Sequence, residues 1–268
     1  EFAPDATGGL KPGDRVCAGL PSGGFAGEVV AARDNVFPIP AGLGFSAATL
    51  FPTIYATAFC GLAWRAALAP GETLLVHGAA GASGLAAVEI GRALGAEVIA
   101  TAGGEAKAAA ARAHGAAHVI DPRREDVRAA VLDLTGGRGA DVVFDPVGGD
   151  LFDSALRCTA PLGRILTIGY ASGRIPQIPA NLLLVKNISV IGLYWGFYMA
   201  WGKTRASPAL RAKVREMFAE LFALFEAGKL HPEVDRELPL SGFAEGLRRV
   251  QDRGVIGKIV LVPGGDDA

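Results

Sequence analysis

The sharpest chemical signal in the chain is the run Gly78-Ala-Ala-Gly81-Ala-Ser-Gly84. It lies directly after the apolar segment Thr73-Leu-Leu-Val-His-Gly78 and directly before helix-spaced apolar residues from Leu85 to Leu94. Glycines at such a junction let the backbone turn tightly and approach a pyrophosphate, whose charge is favoured by the free N–H groups and dipole of a helix N-terminus. Gly78, Ala80, Gly81, Ala82, Ser83 and Gly84 are therefore candidate pyrophosphate-binding residues of a dinucleotide site. The strand-to-helix context makes the pattern more specific than a lone glycine motif. The end of the next strand should then distinguish the cofactors, because an Asp or Glu there holds the ribose 2′-hydroxyl of NAD. Here the chain reads Thr101-Ala-Gly103-Gly104, and Glu105 is placed to start the following helix. Lys107 is spaced to meet a 2′-phosphate, and Arg123 and Arg124 can reinforce it from beyond the third strand. NADPH is the expected cofactor.

Other chemistries lack their residues. No lysine stands four residues after Tyr55, Tyr170, Tyr194 or Tyr198, which excludes the Tyr-x-x-x-Lys pair of short-chain dehydrogenases. His114 and His118 have a metal-like spacing, but Gly115 breaks their shared helix face and no Cys or carboxylate cluster accompanies them, so no metal is expected. No Gly-x-Ser-x-Gly elbow is present. Cys17, Cys60 and Cys158 are odd in number and far apart, which argues for a reducing compartment and against a disulfide framework. The 26 basic and 27 acidic residues leave a net charge of −1, without the footprint of a nucleic-acid or anionic-membrane partner. The longest apolar run, Ile188 to Trp201, is 14 residues, whereas a spanning helix needs about 20. A soluble, cytoplasmic protein is expected. The chain opens on Glu1 with no secretory signal, and loss of an N-terminal piece is the expectation there.

The elements around these residues alternate. Apolar strands are expected at Thr73–Gly78, Glu97–Thr101, His118–Asp121, Asp141–Asp145, Arg164–Ile168 and Ile188–Leu193, with helices at Leu85–Leu94, Glu105–Ala113 and Val127–Leu134 between them. Val-, Ile- and Leu-rich strands alternating with helices imply a doubly wound parallel sheet covered on both faces. The flanks are β-rich, with strand-like pieces at Asp14–Cys17, Glu28–Ala31, Glu233–Leu240 and Lys258–Val262. A helix over 207–228 opens on Ser207 and Pro208, ends at Gly228, and carries a packing stripe of Leu210, Val214, Met217, Leu221 and Leu224. With 268 residues, half of them apolar, the simplest organisation is a nucleotide-binding domain over 51–200, inserted between residues 1–50 and 201–268 of a second, β-rich domain. Tyr194, Trp195, Phe197, Tyr198 and Trp201 crowd beside the sixth strand. Tyr194 and Trp195 are candidates for a flat wall against a planar substrate, with core packing and a dimer interface as the competing uses.

Several linked motifs in order carry a resemblance to a known family: Glu72-Thr-Leu-Leu-Val-His-Gly-Ala-Ala-Gly81, Ala100-Thr-Ala-Gly103, Asp145-Pro-Val-Gly-Gly149, Ile168-Gly-Tyr-Ala-Ser-Gly173 and Asn181-Leu-Leu-Leu-Val-Lys-Asn187. Together they resemble the quinone oxidoreductase (zeta-crystallin-like) branch of the zinc-independent medium-chain dehydrogenase/reductases. The resemblance implies a Rossmann domain inserted in a GroES-like catalytic domain, part of which would lie ahead of the segment that looks like Lys11-Pro-Gly-Asp-Arg-Val16. It implies an NADPH-dependent enzyme passing hydride to a quinone or a similar electron-poor acceptor, and a homodimer joined along the edge strand near 188–193. An enoyl-thioester or enone reductase and a non-catalytic NADPH-binding protein are the alternatives. The family pattern places Thr57 near the nicotinamide, Ala80 to Ser83 under the pyrophosphate, Lys107 on the 2′-phosphate, and Gly169, Tyr170 and Ala171 beside the cofactor. The segment after Gly192 would lie near the nicotinamide amide, and Arg253 and Lys258 would approach from the C-terminal segment. The chain departs from the pattern at Ala82 and Ser83, where Gly and Val are common, at Pro122, where many relatives have a tyrosine, and at Gly27, where an acidic residue is common.

Overall fold

Residues 9–202 and 206–264 are described by a computed structural model of the chain. Packing divides it into two units, one formed by the chain up to Ala56 and from Tyr194 onward, the other by Thr57–Leu193. These divisions fall a few residues from the limits expected at 50/51 and 200/201.

The first unit opens with β1 (Val16–Ala18) and β2 (Val36–Pro38), paired antiparallel with Cys17 opposite Phe37. The Arg15 guanidinium ties down the chain after β2 by donating to the carbonyls of Pro40, Ala41 and Leu43. Glu28–Ala31, expected as a strand, is not one: it has no partner strand among the described residues, and Val30 is 98% exposed. Two β-branched residues do not hold a strand without a neighbour to pair with.

A helical stretch then runs from Phe45 to Arg65 as α1 (Phe45–Ala48), a π-helical turn (Phe51–Tyr55), α2 (Ala56–Phe59) and a second π-helical turn (Cys60–Arg65). The wide turns appear as i to i−5 bonds from Tyr55 to Leu50 and from Ala66 to Gly61. Its 21 residues are long and apolar enough to cross a membrane by length and composition, and 61% of that window is buried inside the molecule. Ile188–Trp201 does not form such a helix, and among the described residues this stretch is the one helix that meets the test. Ser, Thr and Pro interrupt its apolar residues in sequence, but in a helix such hydroxyls turn back on the backbone, as Thr49 does to the Ser46 carbonyl at 2.6 Å.

The second unit is the expected α/β sheet. Its elements follow as β3 (Thr73–Val76), α3 (Ala82–Ala93), β4 (Glu97–Thr101), α4 (Glu105–Ala113), β5 (His118–Ile120), α5 (Val127–Leu134), β6 (Ala140–Asp145), α6 (Gly149–Cys158), β7 (Thr159–Thr167), α7 (Ala180–Lys186) and β8 (Ser189–Gly192). The six strands are all parallel in the order β5-β4-β3-β6-β7-β8. Every side chain of β3 is buried, as a strand covered on both faces requires. The direction of winding reverses between β3 and β6, paired Leu74 to Val142 and Val76 to Phe144. In open sheets of this kind ligands bind beyond the carboxyl ends of the strands at that switch point. The opposite ends are fastened by charge: Arg164 grips Glu72 at 2.7 and 2.8 Å, and Asp141 accepts the Thr73 N–H at 2.8 Å and pairs with Arg138.

Back in the first unit, α8 (Trp195–Tyr198) precedes α9 (Pro208–Glu226), whose N-cap Ser207 accepts the Leu210 N–H at 3.2 Å. The expected stripe is buried at Val214, Met217 and Leu221, and Phe218 stacks on Phe37 at 3.5 Å between centroids. The chain closes with β9 (Val234–Pro239), α10 (Phe243–Gln251) and β10 (Lys258–Val262), the two strands parallel.

Candidate dinucleotide site

The glycine loop leaves β3 at the switch point. Gly78 adopts φ +60°, which glycine accepts without strain, and a Cβ there would stand 2.9 Å from Val147 Cγ2. Gly81 caps α3 without a side-chain acceptor, and its carbonyl takes the first helical bond from Leu85 at 2.9 Å. The N–H groups of the first turn are thus left open to an external anion. Gly84 packs on the loop so closely that a Cβ would lie 2.4 Å from the Gly78 carbonyl oxygen and 2.6 Å from Ala79 Cα. Ala80 is buried, and Ala82 and Ser83 are half-buried on the first turn of α3. Turn, open helix end and close packing are the features a pyrophosphate cradle needs, and these residues fit one.

The end of β4 is shaped around an arginine. A Cβ on Gly103 would meet the Arg123 guanidinium at 2.7 Å, so that side chain lies directly over the glycine. One carboxylate holds both loops: Asp121 accepts the Gly104 N–H and the Arg123 N–H, each at 3.0 Å. These two amide bonds keep the Asp121 carboxyl below its usual range. Gly104, at φ +89°, is the N-cap of α4, and Lys107 stands half-buried within that helix's first turn. Gly103, Lys107 and Arg123 are therefore brought to one end of the sheet.

The loops after β6 and β7 pack on one another. Ala171 N–H bonds the Pro146 carbonyl at 3.1 Å and Ser172 N–H the Val147 carbonyl at 2.9 Å. Gly148, at φ +68°, leaves no room for a Cβ beside the Tyr170 ring. Gly169, Tyr170 and Ala171 thus run alongside the loop that touches Gly78. Gly192 ends β8, with its carbonyl accepting from Arg65 at 3.3 Å, and Thr57 is half-buried in α2. Lys258 begins β10 of the other unit, where desolvation lowers its ammonium pKa. The aromatic pair expected as a wall divides: Tyr194 is 65% exposed, whereas Trp195 is 5% exposed and its indole donates to the Pro52 carbonyl at 2.7 Å. Trp195 is core packing of its own unit.

The relatives of the chain agree with this geometry. Residues 82–210 match a family model described as zinc-binding dehydrogenase. A quinone oxidoreductase-like protein 2 homologue of Nematostella vectensis is 40% identical over 255 residues, which cover 94% of this chain and 67% of the relative. The chain belongs to the quinone oxidoreductase-like branch of the medium-chain dehydrogenase/reductases. Its fold matches that of the Escherichia coli quinone oxidoreductase complexed with NADPH, at 28% identity and a TM-score of 0.85 over 95% of this chain and 77% of that one. A 2-haloacrylate reductase matches at 32% identity and a TM-score of 0.84, covering 99% and 81% of the two chains. The chain is therefore an oxidoreductase of this superfamily, and its NADPH-bound structural neighbour points to a nicotinamide cofactor.

The two histidines with metal-like spacing serve different carboxylates in this member of the branch. His114 Nδ1 lies 2.7 Å from Glu89 Oε1, both buried, while His118 Nε2 lies 3.5 Å from Glu97 on the neighbouring strand. Among the described residues no group of three His, Cys, Asp or Glu is arranged to hold a metal ion. The three cysteines are buried free thiols, with burial pushing Cys17 up to about 12 and Cys158 up to about 11. Sequence reasoning missed the support beneath the cradle, namely His77, Thr101 and Asp145, all fully buried. The Asp145 carboxylate accepts the N–H groups of Val147 at 2.8 Å and Gly148 at 3.0 Å. Burial pushes the His77 imidazole pKa down, against the opposing pull of the Asp145 charge. The available signal was three polar residues at or just past the ends of largely apolar strands.

Proposed function

We propose that the chain is an NADPH-dependent reductase whose hydride acceptor is a quinone or a similarly electron-poor conjugated molecule. The observation that carries the cofactor choice is the Arg123 guanidinium lying over Gly103, with Lys107 nearby on α4, where an NAD site keeps an acid. NADPH supplies the hydride when bound, from C4 of its nicotinamide. The residues of this chain bind and orient it: Gly78 to Gly84 and the open end of α3 take the pyrophosphate, and Lys107 and Arg123 take the 2′-phosphate. The backbone from Gly169 to Ala171 flanks its path. No side chain is assigned as a general acid or base. A quinone asks for none, because the oxygen anion left after hydride transfer takes its proton from water.

The name of the Nematostella vectensis relative and that of the Escherichia coli enzyme support a quinone. The 2-haloacrylate reductase supports a second reading, reduction of an activated alkene, in which a proton must reach the carbon next to the one that takes hydride. We propose also that two copies pair along β8, one of the two edge strands of the six-stranded sheet.

The test is titration with NADPH and with NADH, followed by nicotinamide fluorescence. NADPH should bind about tenfold tighter or better, the effect of charge-assisted bonds to one phosphate. Equal binding overturns the 2′-phosphate assignment, and binding of neither overturns the dinucleotide reading. Turnover with a quinone but not with an enone then separates the two acceptors.

A further inference from the structure

We propose that Thr101 is a positioning residue for the cofactor, acting through the glycine loop with His77 as its partner. The inference rests on the dinucleotide reading above. Thr101 ends β4, is 1% exposed and holds two consecutive loop amides. Its Oγ1 accepts the Gly78 N–H at 3.2 Å, and its carbonyl accepts the Ala79 N–H at 2.9 Å. The same Oγ1 lies 3.3 Å from His77 Nδ1. A hydroxyl has a single proton to give. Its oxygen also carries two lone pairs, so the bond from Gly78 leaves Oγ1 able to meet His77 Nδ1 as donor or as acceptor, according to the tautomer of the ring. Burial favours the neutral ring. The titratable group facing it from the next strand is Asp145, whose carboxylate is occupied by the Val147 and Gly148 amides.

The position of the Gly78 peptide matters because Gly84, in the first turn of α3, is packed against the Gly78 carbonyl oxygen. A tilt of that peptide therefore moves the helix end whose free N–H groups meet the phosphates. A binding group is precise only when a further layer of hydrogen bonds locks it. Thr101 is that layer, placed on a different strand from the loop and buried beneath it.

Thr101→Val keeps the shape and the burial of the residue while removing the hydroxyl that accepts from the Gly78 N–H and bonds His77 Nδ1. Thr101→Ser keeps the hydroxyl. The full chain carrying each substitution is titrated with NADPH and NADH and assayed with a quinone. For the valine variant the expected result is about tenfold weaker binding of both dinucleotides (about 1.4 kcal/mol), with the NADPH-to-NADH ratio unchanged. KM for NADPH should rise while kcat stays within about twofold, and the serine variant should bind within about twofold of the unaltered chain. A purely structural threonine would lower the thermal midpoint without this split between valine and serine. Valine-variant binding equal to that of the unaltered chain, or a serine variant as impaired as the valine one, overturns the inference alone. Failure of the unaltered chain to bind either dinucleotide overturns the dinucleotide reading and this inference with it. Where the valine variant does not fold, amide hydrogen exchange in the unaltered protein decides: protection of Gly78 and Ala79 comparable to β3 supports the clamp, and exchange at the rate of exposed amides overturns it.

Discussion

Arg123 is exposed, yet its place is set by three neighbours that leave it little choice. Gly103 offers no Cβ beneath the guanidinium, Asp121 pins the Arg123 amide, and the same carboxylate pins Gly104 at the start of α4. A side chain pre-placed in this way loses less freedom on meeting a phosphate than an unrestrained surface arginine does. Arg123→Ala should therefore weaken NADPH about tenfold and leave NADH within about twofold, measured by the same fluorescence titration. An equal loss for both would assign Arg123 to a part of the cofactor that they share. The positions of Lys107 and Arg123 were legible in the sequence, because each follows a strand end at fixed spacing. Thr101, His77 and Asp145 were not, since their roles depend on which residues of β3, β4 and β6 stand side by side, and register is not written in one strand alone. The aromatic cluster was legible as a cluster only. The short helix α8 turns Trp195 inward to the Pro52 carbonyl and leaves Tyr194 and Phe197 outside.

At the scale of elements, the strands that carry the site were readable because each is a short apolar run between glycines. β7 was harder. It begins at Thr159, with Leu162 at φ +66° and a register shift against β6 between Ala140 and Val142. The Pro161 and Gly163 that signal a break in sequence instead mark an irregularity inside one strand. The bridge that fastens this strand, Arg164 to Glu72, makes a second expectation. The hydrogen bonds from Arg164 hold the Glu72 carboxyl below its ordinary 4.5. Burial would raise Asp141 above its ordinary 3.8, but the bonds from Arg138 and Thr73 outweigh it and hold that carboxyl low as well. Both folded values lie below the unfolded ones. Their stabilisation is thus complete above the unfolded values and is lost as pH falls through the folded ones. The urea midpoint should fall as pH is taken below about 4.5, and Arg164→Met should flatten that fall while lowering the midpoint at pH 7. Parallel pH profiles for the two proteins would show that the bridge contributes nothing to acid sensitivity.

For the whole molecule, the sequence reading of one domain inserted into another follows from where the strand-helix alternation starts and stops, and packing divides the chain into two units after Ala56 and Leu193. In sequence, hydroxyl residues and Pro52 interrupt the apolar residues of the long helical stretch through that first division. The proposed pairing of two copies rests on β8, the last strand before the second division. Leu193 N–H bonds the Thr167 carbonyl. By the two-residue alternation of a parallel strand, Ser189 and Ile191 then face β7, and the amides of Val190 and Gly192 point outward. In the proposed dimer these outward amides would pair with those of a second copy about a two-fold axis. Proline removes one outward N–H without touching the β7 ladder, as edge strands tolerate. Val190→Pro should therefore shift the protein from the mass of two chains to that of one in sedimentation equilibrium, with NADPH binding retained. An unaltered chain that sediments as a monomer overturns the pairing. A variant that remains a dimer moves the interface to another surface.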